Sequence, residues 1–254
     1  MFGGFDSYVE ELFAVVFALR NAGYEVIAFD GPGQGTALED FNLPMTHEWE
    51  KPVKVVLDYF DLDDVSLLGL SLGGELVIRA AAFEPRIRRV IADDILTDFS
   101  EVLLRQVSPA VRLMLTALLK VKAAFAVNML MRRAMRRSLI IEWGLQQGMH
   151  VTGSRSPYEF LQKVRRLRTA DISDRVTQDV LLMAGAEDHY IPLHQFHDQI
   201  KTLKNVRSLT ARLFTREEQA QNHCQIGNLG LSLEVIVGWL NAMTNAQVTP
   251  KPTA

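Results

Sequence analysis

A serine flanked by glycines is the first place where this sequence could do chemistry. Gly69-Leu70-Ser71-Leu72-Gly73 spells G-x-S-x-G. It follows the apolar run "VSLLG" (65–69) and opens a stretch with helical spacing. At such a strand-to-helix turn a serine hydroxyl is lifted clear of the chain, and the next backbone N–H points from a helix N-terminus toward any oxyanion formed there. Side chains at positions 69 and 73 would collide in so tight a turn. A hydroxyl is a poor nucleophile until a base takes its proton, and the base needs a carboxylate to orient it. Asp188 in "AEDHYIP" and His223 in "TREEQAQNHCQIGN" each follow an apolar run, so each sits in a loop at the same end of the strands as Ser71. Glu187 is the rival acid; Asp188, nearer the following helix, is preferred.

The other histidines carry less. His189 lies beside Asp188, where it could touch a ligand, although a loop histidine is the commoner case. His47, His150, His194 and His197 read as surface or packing residues. The His194/His197 spacing has no accompanying carboxylate pattern, so no metal is expected. "FDGPGQGT" (29–36) has neither the spacing of a dinucleotide loop nor the Lys-Ser/Thr of a P-loop. It reads as a tight turn beside the active site, and no cofactor is implied.

The elements that must hold these residues alternate in type. Apolar runs at 25–30, 65–69, 88–93, 179–185 and 208–214 predict strands, with helices at about 6–20, 46–60, 72–83, 192–203 and 229–243. That alternation predicts an α/β fold, with a mostly parallel sheet and helices on both faces. From 95 to 175 the pattern is helical throughout, too long for a plain connection, and reads as an inserted helical cap. The core is then 1–94 with 176–245, and 246–254 is expected to be a disordered tail.

Composition sets outer limits. The 254 residues are 48% hydrophobic and 22% charged with net charge −3, ordinary globular usage with no nucleic-acid footprint. A single cysteine, Cys224, excludes an internal disulfide. No signal peptide is evident at the start, and Arg112, Lys120 and Lys122 interrupt the most apolar window, so a cytoplasmic protein with no membrane span is expected. Residues 101–170 hold 13 Lys and Arg against 3 Asp and Glu, a net +10 that leaves the rest of the chain at −13. Two readings stay open: a basic segment held on an acidic body, or a lid attracting acidic substrates.

Taken together, "GGFDSYVEEL" (3–12), "GYEVIAFDGPGQG" (23–35), "WEKPV" (49–53), "GLSLGGELVIRAAAFEPRI" (69–87), "AGAEDHYIP" (184–192) and "NHCQIGN" (222–228) resemble the α/β-hydrolase superfamily. More narrowly they resemble the branch that holds 2,6-dihydropseudooxynicotine hydrolase, the fermentation-respiration switch proteins and the fungal polyketide-shortening hydrolases of melanin pathways. The resemblance implies a Ser71–Asp188–His223 triad, an oxyanion hole from the N–H of Leu72 with that of Phe5 or Gly4, and no cofactor. It also implies a small carbonyl substrate, cleaved at a carbon–carbon bond of a β-diketone-like compound or at an ester or thioester. The basic cap with Phe125, Trp143, Tyr158 and Phe160 fits an aromatic or acidic one, though core packing explains those aromatics equally well. Glu101 is a candidate helper acid from the cap, though a solvent-exposed helix residue is the plainer reading. Oligomeric state is left open, a homodimer among the options. In such hydrolases a central strand runs into the oxyanion loop, between the strands expected at 25–30 and 65–69. Here only Met1 and Phe2 precede Gly3, so a one-strand gap or a rearranged sheet is expected, with N-terminal truncation as the favoured cause. A catalytically impaired binding or regulatory protein is the alternative of another class.

Overall fold

In the computed structural model the described residues are 1–105 and 107–248, with side chains described through Thr244. Three helices come first: α1 (Phe13–Asn21), entered through a 3-10 turn over Val9–Leu12, then α2 (Gly35–Glu39) and α3 (Glu50–Tyr59). Then β1 (Val65–Leu70), α4 (Leu72–Ala81) and β2 (Ile87–Asp93) form the first strand–helix–strand unit. Five helices separate β2 from the next strand: α5 (Phe99–Leu104), α6 (Pro109–Lys120), α7 (Ala124–Met135), α8 (Leu139–Val151) and α9 (Pro157–Val164). The chain returns through β3 (Asp179–Gly185), α10 (Leu193–Thr202), β4 (Ser208–Phe214) and α11 (Leu229–Val248). Three residues of the expected tail, 246–248, are therefore helical, and 249–254 lie outside the described residues.

The four strands pair in parallel in the order β1-β2-β3-β4. The inner strand β3 is buried throughout, as a parallel strand covered on both faces is, whereas the edge strand β4 leaves Thr210 and Ala211 exposed. Alternate side chains divide between the two layers: Val90, Ala92, Val180 and Leu182 face the core under α3, α4 and α10. Ile91, Leu181 and Met183 face α1 and α11. Helix α4 lies deepest; Leu76, Val77 and Ile78 are wholly buried. The helical segment enters and leaves through one pinned gate. Phe99 N–H donates to Leu167 O at 3.1 Å and Thr169 N–H to Thr97 O at 3.0 Å. Gln195 Oε1 accepts from the N–H groups of Thr97 and Asp98.

Residues 25–30, expected as a strand, do not belong to the sheet. The lane beside them holds only two residues. The Met1 amine donates to Ile27 O at 2.6 Å and Phe29 N–H donates to Met1 O at 3.2 Å. On the other side Phe2 N–H reaches Leu68 O and Leu70 N–H reaches Phe2 O, both at 3.2 Å. Met1 and Phe2 thus lie between 25–30 and β1, Phe2 in an isolated parallel bridge with Gly69, and among the described residues no strand continues that lane beyond them. There the lane is an apolar groove of about 360 Å³, lined by Leu19, Val26, Ile27, Val53, Leu67 and Leu240 among others. The N–H groups of residues 25–28 have no hydrogen-bond partner among the described residues. A ladder needs a neighbour, and an apolar run without one stays outside the sheet. No single helix among the described residues is long and apolar enough to cross a membrane.

Candidate active site

Ser71 occupies the one-residue turn between β1 and α4, at φ 58° and ψ −124°. This is strained for a side-chain-bearing residue, and packing on both sides holds it there. A Cβ on Gly69 would stand 2.1 Å from Gly73 O, and one on Gly73 would stand 2.7 Å from Gly3 O. Ser71 N–H donates to Asp93 O at 2.6 Å, which ties the turn to the end of β2.

His223 and Asp188 reach this point from loops after β4 and β3. His223 Nδ1 lies 2.6 Å from Asp188 Oδ2, and Nε2 lies 2.8 Å from Ser71 Oγ. The ionised carboxylate can only accept, so the ring proton sits on Nδ1 and Nε2 is free to accept from the serine hydroxyl. Asp188 Oδ1 accepts from the N–H groups of Tyr190 (2.7 Å) and Ile191 (2.9 Å). Burial alone would raise the Asp188 pKa, but the hydrogen bond and charge of His223, with these two N–H groups, hold it below the ordinary carboxylate range.

A second carboxylate stands behind the histidine. Asp94 Oδ2 is 3.4 Å from His223 Nδ1 and accepts from Cys224 N–H at 2.6 Å, while Oδ1 accepts from Gln225 Nε2 at 2.7 Å. Burial, then the charges of Asp93 and Asp188, push Asp94 well above the usual range; burial pushes Asp93 up to about 7. Asp94, His223 and Cys224 bring metal-capable atoms within 4.8 Å of one another. Metal binding needs deprotonated ligands, yet burial pushes the Cys224 thiol up and Nδ1 is taken by Asp188. The set fits a metal poorly.

The three N–H groups expected at an oxyanion hole differ in what they bond. Leu72 N–H is the first of α4 and has no intrahelical acceptor. Gly4 presses against Ser71, since a Cβ there would stand 2.8 Å from Ser71 Cβ, but its N–H is committed to Ser7 Oγ at 2.8 Å. Phe5 N–H has no acceptor among the described residues. The Phe5 ring packs against Phe99 and Phe160, at 5.0 and 6.5 Å between centroids. Gln34, fully buried, braces this loop: its Nε2 donates to Gly3 O (2.7 Å) and Gly4 O (2.9 Å), and its Oε1 accepts from Gly31 N–H.

The remaining candidates lie elsewhere. Glu187 pairs with Arg216. Glu101 Oε2 is held by His194 Nε2 and Gln195 Nε2, both at 3.1 Å, and makes no ion pair or hydrogen bond with the triad. His150 pairs with Glu39 at 2.8 Å. The His189 ring lies 6.2 Å from that of His223, with Tyr190 closer at 5.2 Å. Sequence reasoning missed Asp94, Gln34 and Tyr190. Asp94 had a signal, since it follows the strand beside the nucleophile's own; Gln34 had only its place as the polar residue of the GPGQG turn.

A serine turn met by a carboxylate and an imidazole from the ends of two further parallel strands has a known counterpart. Residues 3–224 match the model of the "Alpha/beta hydrolase family". The chain belongs to that family. Among its relatives, Hydrolyase poxO of Penicillium oxalicum is 32% identical over 207 residues, covering 74% of this chain and 48% of that protein. Hydrolase ORFZ of Pyricularia oryzae is 30% identical over 216 residues, covering 78% and 49%. The chain spans about half the length of these relatives. Of solved hydrolase structures, that of 2,6-dihydroxy-pseudo-oxynicotine hydrolase superposes with a TM-score of 0.67 at 22% identity, covering 100% of this chain and 62% of that one. The monoacylglycerol lipase of Paleococcus ferrophilus gives 0.58 at 21%, covering 94% and 93%. These two likenesses speak to the fold.

Proposed function

We propose that the chain is a serine hydrolase acting on a carbonyl compound. The observation that carries this reading is the unbroken relay from Asp188 through His223 to Ser71, at 2.6 and 2.8 Å. Ser71 Oγ attacks the carbonyl carbon as its proton passes to His223 Nε2, and the oxyanion is held by Leu72 N–H and Phe5 N–H. Collapse of the adduct expels the leaving group, which takes that proton. Water, deprotonated in turn by His223, then releases the acid from Ser71.

Carbon–carbon cleavage is the finer reading within this class, with hydrolysis of a carboxylic ester or thioester as its rival. A relative in Gibberella moniliformis, 41% identical over 112 residues, carries the name 20-hydroxy-prefusarin hydrolase, which favours polyketide-like substrates. The match covers 39% of this chain. The +10 charge of residues 101–170 favours an anionic substrate. A fluorophosphonate probe tests the class: labelling of Ser71 in the folded chain, absent from Ser71→Ala, is expected. A folded chain that takes up no probe would count against it and favour a binding or regulatory role. An aryl ester series run beside a β-diketone tests the finer reading, and turnover of esters alone removes carbon–carbon cleavage.

A further inference from the structure

We propose that Asp94 is a second carboxylate for His223, a positioning residue that shares the Nδ1–H with Asp188 and can hold the ring when Asp188 is gone; this rests on the triad reading above. Its Oδ2 already lies 3.4 Å from Nδ1, on the same side of the ring as the 2.6 Å contact to Asp188. It also grips the loop that carries the histidine. Cys224 and Gln225 have φ 48° and 47°, a left-handed conformation unfavourable to both, and Asp94 binds the backbone of the first and the side chain of the second. Asp94 follows β2, whose Asp93 O holds Ser71 N–H, so one dipeptide fastens the nucleophile's turn and the base's loop together.

The charges facing Asp94 explain the division of labour. Asp188 has two backbone N–H donors on its other oxygen and stays ionised, whereas Asp94 is enclosed and faces Asp93 and Asp188. Loss of Asp188 removes one of those like charges and eases ionisation of Asp94 beside the ring.

Two readouts on Asp188→Ala, alone and combined with Asp94→Asn, test this. The first needs no turnover: the far-downfield proton NMR signal of a His223 Nδ1–H bonded to a carboxylate. The signal is expected to persist in Asp188→Ala and to vanish in the double variant. The second is kcat on an aryl ester. Loss of the triad acid costs about 10⁴ in serine proteases; here Asp188→Ala is expected to cost about 10²–10³, and Asp94→Asn on top of it at least ~10-fold more. Disappearance of the signal in Asp188→Ala, or no added effect of Asp94→Asn, overturns the proposal. If the double variant does not fold, the signal in Asp188→Ala alone decides. A chain that shows this NMR pattern but neither binds the probe nor turns over esters refutes the hydrolase reading and leaves the pairing intact.

Discussion

Ser71 keeps its backbone angles because hydrogen atoms, and nothing larger, fit at its flanks. A methyl group on Gly69 would enter the carbonyl of Gly73 at 2.1 Å, and backbone cannot swing aside as a side chain would. Gly69→Ala is therefore expected to destabilise the chain by about 1–3 kcal/mol and to move Ser71 off line; denaturant unfolding together with probe labelling reads both effects. Gln34 presents the opposite case, a side chain whose value lies in holding other atoms. Its amide carries two carbonyls of the oxyanion loop. Gln34→Ala is expected to lower kcat on an aryl ester by ~10²-fold or more, with little change in KM, since the loss falls on a donor used in the transition state. A variant with raised KM and unchanged kcat would contradict this.

Elements show where sequence patterns inform and where they fail. Runs at 65–69, 88–93 and 179–185 were legible because a strand covered by helices is apolar at successive positions. The run 208–214, half-exposed at the sheet edge, was legible by its alternation of apolar and polar residues, and all four appear within one residue. "EVIAFD" has the same composition, but pairing is non-local and its neighbouring lane holds only Met1 and Phe2. The positions of Ser71, Asp188 and His223 were legible because each falls in a turn after a strand. Asp94's place after β2 was legible in the same way, but its approach to the histidine depends on a fold contact between residues 129 apart, which no local pattern records. Helix α4 adds a case that periodicity conceals. Its Glu75 is buried, its Oε2 has no hydrogen-bond partner among the described residues, and burial pushes its pKa from the usual 4.5 to about 8. The folded chain thus holds a proton there that the unfolded chain gives up above 4.5, so stability is fully present below that pH and falls as pH rises toward 8. Glu75→Gln is expected to be more stable than the parent, by a margin that is nil below pH 4.5 and widens by about 1.4 kcal/mol per pH unit until about 8. A constant margin across pH, measured by urea unfolding, would show that Glu75 is ionised within the fold.

For the molecule as a whole, the lane between residues 25–30 and β1 leaves the N–H groups of residues 25–28 without a partner among the described residues. Amides of residues 25–28 should exchange with deuterium far sooner than those of β2 and β3; slow exchange there would mean that something else covers them. The ring contacts of Phe5 act across the molecule in another way. Phe5 belongs to the first loop, yet its aromatic neighbours Phe99 and Phe160 ride on the helices inserted after β2. A ring shared in this way couples the first loop to α5 and α9, so a displacement of either helix is passed to the backbone at Gly4, which presses on Ser71.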